Sequence, residues 1–81
     1  MFSVYILKSQ STGRYYVGSC SNLETRMKQH NSELVKSTKG FIPWQLVHVE
    51  NYDNLKAARL RELQIKSWKK RSSIERLLSQ K

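Results

Sequence analysis

At 81 residues the chain has room for one hydrophobic core, and so for a single domain spanning 1–81. Hydrophobic residues make up 38% and are spread along the whole length, which excludes wholesale disorder, while 15 Lys and Arg against 6 Asp and Glu leave a formal charge of +9 and point to a polyanionic partner. One cysteine, Cys20, excludes an intrachain disulfide and a cysteine-built zinc site; no apolar run approaches the roughly 18 residues of a membrane span, so a reducing cytoplasm is the expected setting and no membrane partner is expected.

The chain opens on Met1-Phe2-Ser3-Val4, strand-like sequence in place of a signal peptide. Phe2 to Lys8 and Arg14 to Ser19 are rich in β-branched and aromatic residues and flank the turn formers Ser9 to Gly13, which predicts a β-hairpin. With a four-residue loop, Ser9 to Thr12, Lys8 pairs with Gly13 and Tyr5 stands opposite Tyr16 on the same face; a slip of one residue would separate them. Ser21-Asn22-Leu23-Glu24 has the spacing of a capping box and predicts a helix to about Asn31, with Leu23 and Met27 on its core stripe and Arg26 and His30 beside them, one turn apart.

Ser32 to Trp44 reads as a basic loop containing Lys36 and Lys39, with Pro43 introducing a third strand over Gln45 to Tyr52. After Asn51 to Asn54, which offer a turn and a helix cap, a helix is expected from Leu55 to about Trp68, well buried because Ala57, Ala58, Leu60, Leu63, Ile65 and Trp68 cover more than half its circumference. Glu62 falls between Leu55 and Ala58 on the helical wheel and points toward the body of the domain. Ser72-Ser73-Ile74-Glu75 suggests a second capping box and a short last helix, preceded by the basic run Lys69-Lys70-Arg71.

The same residues bear two readings each. Tyr5 and Tyr16 are candidate active-site phenols or packed sheet residues; a phenol acting as a base near neutral pH needs nearby positive charge, from a metal or from Arg26. Arg26 suits a phosphate clamp or a solvated ion pair, and His30 a proton-transfer role or a helix C-terminal cap. Glu62 offers a hard oxygen ligand to a divalent cation, or a salt bridge to Lys66 or Arg59. Lys36, Lys39, Lys66, Lys69, Lys70 and Arg71 suggest a phosphate-contacting surface, with Trp44 and Trp68 available for stacking where exposed.

The order Val4-Tyr5-Ile6, Tyr16-Val17-Gly18, Asn22-Leu23, Arg26, His30-Asn31, Arg61-Glu62 and Ile65-Lys66 resembles the GIY-YIG nuclease superfamily over roughly residues 2 to 70, most of all its small stand-alone bacterial members, which are similar to the excinuclease nuclease domain. The chain departs from the pattern at Ser3 and Val4, where Gly and Ile are usual, and at Ser67 to Ser72, which lacks the usual Pro and Asn. The resemblance implies an α+β, sandwich-like fold of order β-β-α-β-α-α, with a three-stranded antiparallel sheet flanked by helices. It also implies an endonuclease that hydrolyses phosphodiester bonds in nucleic acid, with DNA as the expected polymer and repair or recombination as the expected setting. On this pattern Tyr5 helps activate water, Tyr16 shapes the site, Arg26 stabilises phosphate charge, His30 assists proton transfer, Glu62 holds one Mg2+ or Mn2+, and Gly18 permits close backbone approach. A nucleic-acid-binding module that keeps the fold without turnover is the alternative.

Overall fold

The computed structural model describes residues 1–32 and 39–79. Its elements run β1 (Phe2–Ser9), β2 (Tyr15–Cys20), α1 (Leu23–His30), a short 3-10 turn (Lys39–Phe41), β3 (Trp44–Tyr52), α2 (Leu55–Ser67) and α3 (Arg71–Ser79). The three strands form one antiparallel sheet in the order β2-β1-β3, which bears out the expected α+β fold and element order.

The hairpin register is two residues off the expected one: Tyr5 pairs with Gly18, Leu7 with Tyr16 and Lys8 with Tyr15. The loop differs because Ser9 stays in the strand. Its amide donates to Arg14 O at 2.8 Å, and its buried hydroxyl accepts from Thr12 N at 3.1 Å and donates to Phe41 O at 2.6 Å, while Gly13 takes the left-handed turn position at φ +77. A two-residue slip preserves strand parity, so Tyr5 and Tyr16 still share a face, now diagonally.

Alternation along β1 divides the core between the two sides of the sheet. Tyr5, Leu7, Cys20 and Trp44 pack with Leu23 and Met27 under α1, while Val4, Ile6 and Val17 pack with Ala58 and Ile65 of α2 and with Ile74, Leu77 and Leu78 of α3. The cap of α2 falls within the expected Asn51 to Asn54, whereas the caps expected for α1 and α3 differ. Asn22, not Ser21, caps α1 by accepting from Thr25 N at 3.0 Å, and Asn54 caps α2 through Ala57 N at 2.8 Å. Ser72 lies inside α3, which starts at Arg71, two residues after a left-handed Lys69 at φ 59.

The expectation of a well-buried α2 is corrected: Leu60 and Leu63 are 59% and 61% exposed, and Leu55 is 39% exposed. Its inward stripe is Ala58, Arg61, Glu62 and Ile65, at i, i+3, i+4 and i+7. Two charged residues therefore face the sheet, and each is met there. Arg61 donates to both carboxylate oxygens of Glu50, at 2.9 and 3.1 Å, and Glu62 accepts from the Ser19 hydroxyl.

Candidate active site

The two tyrosine strands meet at Gly18. A Cβ placed there would lie 2.5 Å from Tyr5 Oη and 3.2 Å from Cε1 of Tyr16, so the missing side chain is the space that lets the Tyr5 phenol pass over β2. The two phenol rings are 6.4 Å apart between centroids and inclined by 32°. Gly18 thus accommodates a side chain, where close approach of backbone was the expectation.

Behind the phenols stands His30, 1% exposed, with Nε2 3.0 Å from Tyr5 Oη and its ring 4.9 Å from that of Tyr16. The next residue fixes it there. Asn31 accepts from Trp44 N at 2.7 Å and donates to Trp44 O at 3.2 Å, tying the end of α1 to β3. His30 is therefore a core residue in contact with the phenol, and Asn31 takes the C-cap position. Burial raises the Tyr5 phenol well above its ordinary pKa, with Tyr16 adding to the rise and Arg26 opposing it without offsetting it. Burial, then the Arg26 charge, lowers the His30 pKa, so its imidazole is neutral at neutral pH.

Glu62 brings the carboxylate. One oxygen accepts from Ser19 Oγ at 2.5 Å and the other from Lys66 Nζ at 2.6 Å, with the Glu62 side chain 17% exposed. Burial acts to raise its pKa, but the bonds from Lys66 and Ser19 outweigh that and hold it below the ordinary carboxylate value. The salt bridge to Lys66 anticipated as an alternative is present, and it leaves Glu62 at the pocket.

These side chains line one open pocket of about 380 Å³: Tyr5, Tyr16, Gly18, Ser19, Arg26, Arg59, Glu62 and Leu63. His30 sits behind Tyr5 and does not line it. Arg59, Ser19 and Leu63 are pocket residues that sequence reasoning does not assign to the site. Arg59 precedes Glu62 by three on one helix, a spacing that signals its place, whereas Ser19 is marked only by following Gly18. Two guanidinium groups, two phenols and an ionised carboxylate around a space with room for a phosphate and its flanking sugar suit a phosphodiester. Among the described residues no group of three or more His, Cys, Asp or Glu could hold a metal alone. Mg2+ needs only one or two carboxylates beside phosphate and water oxygens, so Glu62, the pocket's one carboxylate among the described residues, would be its protein ligand, in place of the bond from Lys66.

Of the expected phosphate-contacting residues, Lys66, Lys69, Lys70 and Arg71 line an adjoining cavity that shares Tyr16 with this pocket. Lys39 is exposed in the 3-10 turn and lines neither, and Lys36 lies outside the described residues. Trp44 is 5% exposed and is no stacking platform, while the half-buried Trp68 packs against the α2–α3 core, carries Arg61 over its ring at 5.7 Å and lines neither of these two cavities.

Comparison with known proteins places this geometry. The chain is 40% identical over 77 residues to a UPF0213 protein of Natronomonas pharaonis, covering 94% of this chain and 88% of that protein. It is 38% identical over 77 residues to a UPF0213 protein of Clostridium perfringens, covering 94% and 82%. The solution NMR structure of a UPF0213 protein from Bacillus halodurans superimposes with a TM-score of 0.63 at 31% identity, covering 100% of this chain and 86% of that one. No helix among the described residues is long and apolar enough to cross a membrane. The profile of the GIY-YIG catalytic domain matches residues 1–75, and with its two tyrosine strands meeting in one pocket the chain belongs to the GIY-YIG family of nuclease domains.

Proposed function

We propose that this chain is a metal-dependent endonuclease that hydrolyses phosphodiester bonds in nucleic acid, with DNA the expected polymer, the cytoplasm its setting and repair or recombination its use. The observation that carries the reading is the single pocket in which Tyr5, Arg26, Arg59 and Glu62 converge. Arg26 and Arg59 hold the non-bridging oxygens of the scissile phosphate and offset the charge that develops there. The Tyr5 hydroxyl orients the attacking water. In the tautomer with a bare Nε2, His30 accepts the Tyr5 proton across 3.0 Å as the phenol oxygen takes one from that water, so the buried phenol never carries a full negative charge. Tyr16 packs on His30 and keeps the relay aligned. A Glu62-bound Mg2+ or Mn2+, when present, supplies further charge neutralisation at the phosphate.

A second reading is a nucleic-acid-binding module without turnover. It is favoured by the two bonds that already engage both Glu62 oxygens and by the high pKa of Tyr5. Incubating supercoiled plasmid with the protein in Mg2+ or EDTA, with gel retardation in parallel, separates the two. Nicking in Mg2+ that EDTA abolishes supports the nuclease; retardation without nicking under any condition leaves the binding module.

A further inference from the structure

A second cavity, of about 460 Å³, opens beside the catalytic pocket with Tyr16 as their common wall. Tyr15, Val17, Ile65 and Ile74 contribute apolar lining, and Arg14, Lys66, Lys69 and Lys70 line it as well. Its volume lies within the roughly 300–1,000 Å³ of small-molecule sites. Apolar lining has no use for a bare phosphate, whereas a nucleotide within a strand presents the flat π face of its base between two phosphates.

The cations run from the boundary with the catalytic pocket to the end of α2 and beyond, where they can meet the phosphates that flank such a nucleotide. Lys66 reaches back to Glu62 at 2.6 Å, so it stands at the boundary with the catalytic pocket, and Lys69 and Lys70 follow beyond the end of α2. Arg71 lies against the aromatic ring at one side of the cavity: its guanidinium is 5.2 Å over the Tyr15 ring, its Nε is 3.4 Å from Glu75, and it lies beside Gly13, with its side chain 54% exposed. A guanidinium plane on an aromatic ring is a surface on which bases stack. Lys69 adds an independent sign. It occupies the left-handed position at φ 59, where glycine is the relaxed residue, and it lines this cavity.

We propose that this cavity receives one unstacked nucleotide of the strand whose scissile phosphate lies across Tyr16, so that the substrate class is nucleic acid with an unpaired nucleotide next to the cut. The inference rests on the nuclease reading. A paired base must leave its stack to enter the cavity, whereas an unpaired one meets little of that penalty, and this difference is the source of the selectivity.

The test uses the full chain. In an amide-resolved NMR titration, thymidine 3′,5′-bisphosphate is expected to shift Tyr15 and Ile74, while inorganic phosphate shifts only residues of the lysine rim. Identical patterns from both probes, or no shift at Tyr15 and Ile74, overturn the proposal. A duplex with one unpaired thymidine is then expected to bind about tenfold tighter than the fully paired duplex. Lys70→Ala, at an exposed position, should shrink that ratio, and Lys28→Ala on α1 should not. Binding of the free bisphosphate without any preference between the duplexes would assign the cavity to free nucleotides and overturn the strand proposal. Absence of nicking on either duplex, with the binding preference intact, would count against the nuclease reading and leave the cavity assignment standing.

Discussion

Tyr5 and Gly18 are cross-strand partners, and the Tyr5 phenol occupies the volume that any side chain at position 18 would need. One atom added to β2 therefore acts on the residue proposed to face the attacking water. In Gly18→Ala, Tyr5 must swing off His30 or β2 must shift, at a cost of about 1–3 kcal/mol. Thermal unfolding should show a lowered Tm and plasmid nicking should be lost. An alanine variant with native Tm and activity would mean that the packing over Gly18 is not needed.

Tyr5→Phe keeps the ring in the core and removes only the oxygen bonded to His30. The stability loss should be about 0.5–1.5 kcal/mol by urea titration. The nicking rate should fall by about 10²–10⁴, the range for a lost general acid or base. A large loss of stability would instead assign Tyr5 a structural role.

Two acid transitions in stability are expected, at different pH. His30 has a folded-state pKa below its ordinary 6.5, so its contribution is present above that value and is lost as pH falls through the lowered one. Burial disfavours the Glu50 charge, but hydrogen bonds from Arg61, Tyr52 and His48 prevail and hold its pKa at about 2 against an ordinary 4.5. Its contribution, on the order of 3 kcal/mol for a side chain 20% exposed, is present above pH 4.5 and lost as pH falls toward 2. Urea titrations from pH 8 to 2 should show both steps, and Glu50→Gln should remove only the second.

Lys69→Gly should separate stability from binding. Relief of the left-handed lysine stabilises the fold by about 1 kcal/mol, while loss of one rim cation lowers the salt dependence of DNA binding, log K against log salt, by about 0.9. Thermal unfolding with binding measured at several salt concentrations checks both. A variant that binds as tightly as the native chain, with the same slope, would show that Lys69 does not meet phosphate.

What can be read from the sequence follows from periodicity, and what cannot depends on neighbours. Strand parity puts Tyr5 and Tyr16 on one face even with the wrong hairpin register, because a slip of two leaves parity unchanged. The helical wheel turns Glu62 inward correctly. The same wheel misplaces Leu60 and Leu63, because a three-stranded sheet is too narrow to cover a broad apolar arc and meets the stripe that carries Arg61 and Glu62 instead. The partners of those charges, Glu50 in the preceding strand and Ser19 in β2, lie on other elements and no helical spacing announces them. The burial of His30 is hidden in the same way, since local sequence offers it as a helix cap while the tie between Asn31 and Trp44, a contact between α1 and β3, turns it into the core.

The most direct test of the account is the single-turnover nicking rate of plasmid in Mg2+, at protein concentrations that saturate binding, for the native chain and for Glu62→Gln. The account predicts Mg2+-dependent nicking by the native chain and a loss of about 10²-fold or more in the variant, with DNA binding retained. A Glu62→Gln protein that nicks at the native rate would contradict it.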